Sequence, residues 1–207
     1  NMYSSLIVID DFLADPDEIR QAALSLEYKK TNEQKNYPGR NSTQRLDYPG
    51  LDEIVSELTG EKVIGSAERN AHGHCRVSLA GDDEARKYFV HVDLGVVWSG
   101  LLYLTLPEHC RGGTEFYRHV ETDADRAPIY PHELAAAGVE YYGEAADKIV
   151  QKDSNDRTKW EHTSTIPMRY NRLVLLRPWF YHTAGPSFGT SMENGRLVQL
   201  FFFDGVG

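Results

Sequence analysis

Tyr88-Phe89-Val90-His91-Val92-Asp93 combines aromatic, β-branched and apolar residues, a composition suited to a β-strand. On a strand, residues i and i+2 point to the same face. The reading therefore predicts that His91 and Asp93 project side by side, an imidazole next to a carboxylate. Such a pair supplies two ligands to a divalent metal and needs a third. The best candidate is His182, in the similarly aromatic run Trp179-Phe180-Tyr181-His182-Thr183. Two histidines and one carboxylate on one face of an ion leave its other positions open, the facial donor set that suits non-haem Fe(II). A His-x-Asp pair alone is common as a surface hydrogen bond, so its weight depends on what surrounds it.

Outward from this stretch the texture is β. Short apolar runs alternate with turn signals: Cys75 to Leu79 before Gly81-Asp82-Asp83, then Tyr88 to Asp93, Gly100 to Leu106 and Gly113 to Tyr117. After an interruption come Asn171 to Leu176, Trp179 to Thr183 and Arg196 to Phe203. Many short strands at modest spacing indicate a sandwich or barrel rather than a βαβ sheet. Ahead of them, Leu6-Ile7-Val8-Ile9 reads as a short buried strand. Asp15-Pro16-Asp17-Glu18 opens a helix with Asp15 as its cap. Ile19, Ala22, Ala23 and Leu26 give that helix an apolar face, and Leu51, Ile54, Val55 and Leu58 repeat the spacing in a second helix stopped by Gly60. Tyr37-Pro38-Gly39-Arg40-Asn41-Ser42 between them reads as a turn.

The interruption, residues 118–164, contains Pro131 to Ala137 as a short helix stopped by Gly138, Val139 to Val150 as another, and a polar turn at Lys152 to Arg157. It is either a lid over a site or decoration. One domain over 1–207 is the default expectation for this length. In that division 1–65 packs its strand and helices on a barrel made from 72–117 and 165–204.

A net charge of −9 and a pI near 5.3, without a basic block, argue against nucleic-acid or anionic-membrane partners. Cys75 and Cys110 form no CxxC pair and are expected as free buried thiols of a reducing compartment. The apolar runs are strand-sized, and no basic segment followed by an apolar one opens the chain, so the expected location is the cytoplasm.

Two further residues carry chemistry. Arg196 begins the hydrophobic run Arg196 to Phe203 and, with period two, shares a face with Val198, Leu200 and Phe202. A cation on a buried face needs a partner, and a guanidinium suits a carboxylate bound through two oxygens. The plainer reading puts Arg196 just outside the strand, in solvent. Tyr103 could reach the same carboxylate or be an ordinary sheet tyrosine. Arg111-Gly112-Gly113-Thr114 is a glycine turn leading into a strand. His72-Gly73-His74 is a rival metal pair without further ligands close by, so a structural role is favoured for it. His109, His119, His132 and His162 sit among polar residues and are expected in solvent.

The order His91-x-Asp93, Leu102-Tyr103-Leu104, Gly112-Gly113-Thr114, His182, Arg196 resembles the Fe(II)/2-oxoglutarate-dependent oxygenase superfamily, and by motif its prolyl-hydroxylase-like branch. The resemblance runs from about Cys75 to Phe203. Asp10-Asp11-Phe12-Leu13, Tyr37-Pro38-Gly39-Arg40, Lys159-Trp160-Glu161 and Tyr170-Asn171-Arg172 resemble a family of uncharacterised bacterial proteins placed in that superfamily. The resemblance implies a mainly β fold with flanking helices, a double-stranded β-helix of jelly-roll or cupin type. It implies Fe(II) on His91, Asp93 and His182, and 2-oxoglutarate as cosubstrate with its distal carboxylate on Arg196, helped by Tyr103. O2 and a small-molecule or peptide substrate to be hydroxylated complete the set. Collagen prolyl hydroxylases use Lys where this chain has Arg196, so a prolyl substrate does not follow. A different class is a catalytically silent cupin-like barrel that binds a ligand or partner. A third is a cupin enzyme without 2-oxoglutarate, which usually adds His or Glu ligands that are not found around His91.

Overall fold

The computed structural model describes residues 3–29 and 36–207. Its central element is β10 (Arg196–Gly205), whose residues are buried almost throughout. Such a strand must be covered on both faces. Leu197, Phe201 and Phe203 point to one side, where Ala23 of α1 (Pro16–Ser25) and Leu51 and Val55 of α2 (Leu51–Thr59) complete a hydrophobic cluster. Val198 and Leu200 point to the other side and pack with Phe116 of a second sheet. Val174 and Leu176 of β8 (Leu173–Leu176) share that inner face, whereas Leu173 and Leu175 turn to the helices.

Among the described residues the larger sheet runs β1 (Leu6–Ile9), β8, β5 (Trp98–Tyr103), β10, β4 (His74–Ser78), β2 (Arg40–Arg45), with β3 (Val63–Gly65) also pairing with β10. The smaller sheet runs β7 (Trp160–Pro167), β6 (Gly113–His119), β9 (His182–Ala184). The pairings are antiparallel. Two sheets of antiparallel strands facing one core, with helices packed outside the larger sheet, form the expected mainly β, double-stranded β-helix architecture.

Local chemistry explains the joints. Asp15 caps α1 by accepting the Glu18 amide at 3.1 Å, and Gly60 ends α2 with φ of +71°. Gly113 has φ of +155°, and a Cβ there would lie 1.9 Å from the Ile166 carbonyl oxygen, so only glycine lets β6 run this close to β7. Between β6 and β7 lie α3 (Pro131–Ala137) and α4 (Tyr142–Asp153). This excursion is fixed to the rest by a buried pair, His119 Nε2 to Asp153 Oδ2 at 2.9 Å, and by the Trp160 indole donating to the Asp153 carbonyl.

Several expectations need correction. Residues 88–93 are not a strand. Only His91 makes an isolated bridge, to His182, because Ser154 occupies the backbone groups of Phe89 and Val90 by hydrogen bonds. The strand expected at 179–183 starts at His182, and 179–181 are irregular. Arg40 to Ser42, read as turn, belong to β2, which is paired with β4 despite its polar sequence. β1 is an edge strand, with Leu6 and Val8 exposed rather than buried. β7 begins at Trp160, inside the stretch expected to be an interruption. His119, expected in solvent, is fully enclosed; its two ring nitrogens meet Thr122 and Asp153, which satisfy it without water. Arg196 is buried, so its solvent reading is excluded. Cys75 is a buried free thiol and Cys110 a half-buried one. No helix among the described residues is long and apolar enough to cross a membrane.

Candidate active site

His91, Asp93 and His182 converge although 88–93 is irregular. The bridge between His91 and His182 exchanges both backbone hydrogen bonds at 3.0 Å, and the Asp93 amide donates to the Pro178 carbonyl at 2.9 Å. One side-chain donor atom from each residue lies within 4.8 Å of the other two, and among the described residues this is the group of three that could hold a metal. His182 Nε2 is 3.4 Å from Asp93 Oδ2 and His91 Nε2 is 3.9 Å from Asp93 Oδ1. Donors at right angles around an ion, each about 2.1 Å away, stand about 3 Å apart, so a small closure completes the set.

The histidines are oriented for ligation. His91 Nδ1 meets the Phe89 carbonyl at 3.2 Å and His182 Nδ1 meets the Phe180 carbonyl at 2.7 Å. A carbonyl only accepts, so each Nδ1 carries the hydrogen and each Nε2 faces Asp93. Asp93 is oriented in turn by the Ser99 hydroxyl, which donates to Oδ2 at 2.6 Å. Its backbone carbonyl accepts from the Tyr142 hydroxyl of α4 at 2.8 Å, so the excursion between β6 and β7 touches the site.

Electrostatics divides the two imidazoles. Burial and the neighbouring His182 push His91 down to about 4. Burial also opposes a charge on His182, but the hydrogen bond and charge of Asp93 outweigh it and raise its proton affinity. Burial would raise the Asp93 carboxyl; His182, His91 and Ser99 together hold it well below the usual carboxylate range.

The cluster opens into a cavity of about 340 Å³ lined by residues of both sheets. Arg196, Val198, Leu200 and Phe202 all line it, as the period-two reading of β10 predicted. Arg196 is 3% exposed, and its Nε and Nη2 are buried without a hydrogen-bond partner among the described residues. Unsatisfied buried donors on a cation are costly, so this guanidinium is able to take an anion that enters the cavity. Tyr103 stands behind the wall. It pairs with Val198 across the β5–β10 ladder, and its hydroxyl shares a 2.7 Å hydrogen bond with Thr114, which does line the cavity.

His72 and His74 do not join the metal group. His72 Nδ1 accepts the Phe202 amide, and its ring stands edge-on to Phe201 and Phe203; His74 Nδ1 meets the Ser42 carbonyl. Sequence reading missed Ser99 and two further arginines that line the cavity, Arg76 and Arg86. Ser99 carries no signal: Asp93 is only six residues away, but the chain between them is irregular, so no period sets the two side chains together. Arg76 carried a faint one, a cation between buried Cys75 and Val77 on a strand.

Comparison with solved structures places the fold. HygX from Streptomyces hygroscopicus, solved with nickel, 2-oxoglutarate and hygromycin B bound, superposes with a TM-score of 0.54 at 13% identity. The match covers 99% of this chain and 84% of HygX. HygX with nickel and 2-oxoglutarate alone gives 0.52 at 14% identity over the same shares. At such identity the likeness establishes the double-stranded β-helix and no more. The chain belongs to the family described as DUF6445, a family of unknown function, whose model matches residues 1–203. No curated protein matches it.

Proposed function

We propose that this chain is a non-haem Fe(II) and 2-oxoglutarate-dependent oxygenase that hydroxylates an unactivated C–H bond of a small molecule or of an amino-acid or peptide side chain. One observation carries the reading: a cluster of two Nε2 atoms and a carboxylate shares a cavity with a buried arginine whose Nε and Nη2 have no hydrogen-bond partner among the described residues. The donor set suits iron with open positions, and the arginine suits the distal carboxylate of a dicarboxylate that also reaches the metal. The fold of HygX, which was solved with nickel and 2-oxoglutarate, supports the same reading.

In this reading His91, Asp93 and His182 hold the metal, with Ser99 and the Phe89 and Phe180 carbonyls fixing their orientation. Arg196 takes the distal carboxylate, and Tyr103 braces Thr114 beside it. Iron with 2-oxoglutarate and O2 supplies the oxidising chemistry, converting C–H to C–OH as 2-oxoglutarate loses CO2 to give succinate. The chain works as one unit over 1–207, with 118–164 bearing on the site through Tyr142.

The test pairs two measurements. Parent protein binds one Fe(II), or Co(II) in its place, and releases succinate in its presence. Arg196→Ala keeps the metal but loses about 3–5 kcal/mol of 2-oxoglutarate binding, the scale for breaking a buried charged pair. Tyr103→Phe costs about 1 kcal/mol. Equal 2-oxoglutarate affinity in parent and Arg196→Ala removes the basis of the proposal.

A further inference from the structure

The cavity holds a second cation that the reaction proposed above does not use. Arg76 lies on β4, opposite Val198 of β10, while Tyr103 of β5 lies opposite Val198 on its other side. Neighbouring strands are about 4.8 Å apart, so Arg76 and Tyr103 flank β10 with roughly 10 Å between their backbones. Arg76 is thus displaced from the side of β10 on which Tyr103 and Thr114 stand. Its guanidinium is held in place by neutral groups. Nε donates to Asn41 Oδ1 of β2 at 2.7 Å, and the Tyr37 ring stacks 3.6 Å from its carbon. No carboxylate among the described residues lies within ion-pair distance of it.

The other ionisable groups lining the cavity are accounted for. Arg86 has Asp83 at 3.7 Å and the Phe89 ring beneath it. Asp93 is committed to the histidines. With metal and cosubstrate bound, the two charges of the metal and that of Arg196 are balanced by Asp93 and the two carboxylates of 2-oxoglutarate. Arg76 is left over. A fixed guanidinium in the cavity wall, with no carboxylate partner among the described residues, is a selective feature in a chain whose net charge of −9 disfavours anions overall. Burial pulls its pKa down to about 10, which leaves it charged at neutral pH. The cavity, about 340 Å³ before the cosubstrate enters, is at the small end for ligand sites.

From this we infer that the primary substrate is a small molecule bearing a carboxylate, which Arg76 binds and so orients towards the metal. The inference rests on the oxygenase reading for the meaning of "substrate" but concerns a different residue from those that carry it.

The test uses the full chain loaded with Zn(II) and saturating 2-oxoglutarate, so that binding is measured without turnover. The probes are matched pairs: butyrate and butyramide through octanoate and octanamide, and L-amino acids with their primary amides. Calorimetric titration is expected to give, for the best acid, at least about tenfold tighter binding than its amide, the scale of a charge-assisted hydrogen-bond pair. Arg76→Gln abolishes that preference, Arg76→Lys keeps part of it, and both retain parental 2-oxoglutarate affinity, which also shows that they are folded. Amides binding as well as acids, no acid binding at all, or Arg76→Gln weakening 2-oxoglutarate itself would each overturn the inference. Failure of the oxygenase reading looks different: Arg196→Ala then leaves 2-oxoglutarate affinity unchanged, and the acid–amide comparison at Arg76 is read without cosubstrate.

Discussion

Ser99→Ala tests whether the metal group is held by its surroundings or merely assembled by chance. The Ser99 hydroxyl donates to Asp93 Oδ2 at 2.6 Å from a buried position on β5, where Ser99 pairs with Leu176 and Phe202. A hydrogen bond to a charged acceptor contributes about 1.5–3 kcal/mol. Its removal has two opposed effects. The carboxylate becomes more basic and a better ligand, yet it loses the contact that aims it at the two Nε2 atoms. Losing an orienting partner of this kind usually costs 10–100-fold in metal affinity. With basicity offsetting part of that, the expected loss is about tenfold, near 1.4 kcal/mol. Competition against a calibrated chelator with Co(II) measures it, and Ser99→Thr, which keeps the hydroxyl, is expected to bind like the parent. Circular dichroism of the metal-free forms checks that the sheet is intact. Metal affinity of Ser99→Ala within twofold of the parent would refute the orienting role of Ser99 and weaken the assignment of Asp93 as ligand.

Three further outcomes are expected. Asp93 raises the proton affinity of His182, so on the proposed ligand set a metal competes with a proton for that nitrogen and displaces it wherever it is bound. Metal affinity is therefore full above the raised His182 value and falls about tenfold per pH unit below it, with His91 adding a second proton only near 4. Titration in buffers of different ionisation enthalpy counts the protons, which are expected to increase per metal as pH falls from about 8 to about 6; a count that does not change with pH contradicts the charge pattern. Gly113→Ala places a Cβ 1.9 Å from the Ile166 carbonyl oxygen and is expected to cost about 1–3 kcal/mol in urea unfolding, whereas a parental midpoint would show that β6 and β7 can part freely. On the proposed ligand set Asp93 would fill the position that a halide needs on the metal, so turnover in excess chloride or bromide is expected to give only oxygenated products by mass spectrometry; a carbon–halogen bond would remove Asp93 from the ligand set.

Much of the fold was legible because periodicity and burial agree. β10 and β8 are apolar on both faces, and both prove to be covered on both. α1 carries its cap, Asp15, and α2 its stop, Gly60, in the sequence. β2 was not legible: Arg-Asn-Ser-Thr-Gln-Arg has no apolar alternation, and it is a strand because β4 offers it a free edge. The stretch 88–93 failed in the opposite sense. Its residues favour a strand, but Ser154 takes the backbone groups of Phe89 and Val90, leaving one bridge at His91. The pairing of His91 with His182 followed from residue type, although the local geometry that brings Asp93 beside them did not. Arg196 was legible as a cation on a buried face. Arg76 was legible only faintly and the His119–Asp153 pair not at all, because their partners are distant in the chain, and Ser99 was hidden by the irregular segment that separates it from Asp93.

The order in which strands occur along the chain differs from their order in space. β10 follows every other strand in this sequence yet fills the slot between β5 and β4, and it alone joins those two. Until it arrives, the larger sheet is two paired fragments with open edges, β1-β8-β5 on one side and β4-β2 on the other, and an unpaired β3. Leu6 has meanwhile to find Leu176, and His91 to find His182. Loop closures of this length slow folding and leave unpaired edges exposed while they are made. During synthesis His182 emerges before β10, so a nascent chain can present all three metal donors while the sheet behind them still lacks its middle strand and Arg196. Iron captured at that moment would sit in a half-built cavity open to water. On the proposed reading, metal and cosubstrate would thus be loaded most safely once β10 has joined the sheet, and the 2-oxoglutarate affinity proposed for Arg196 would be the sign that the sheet has closed.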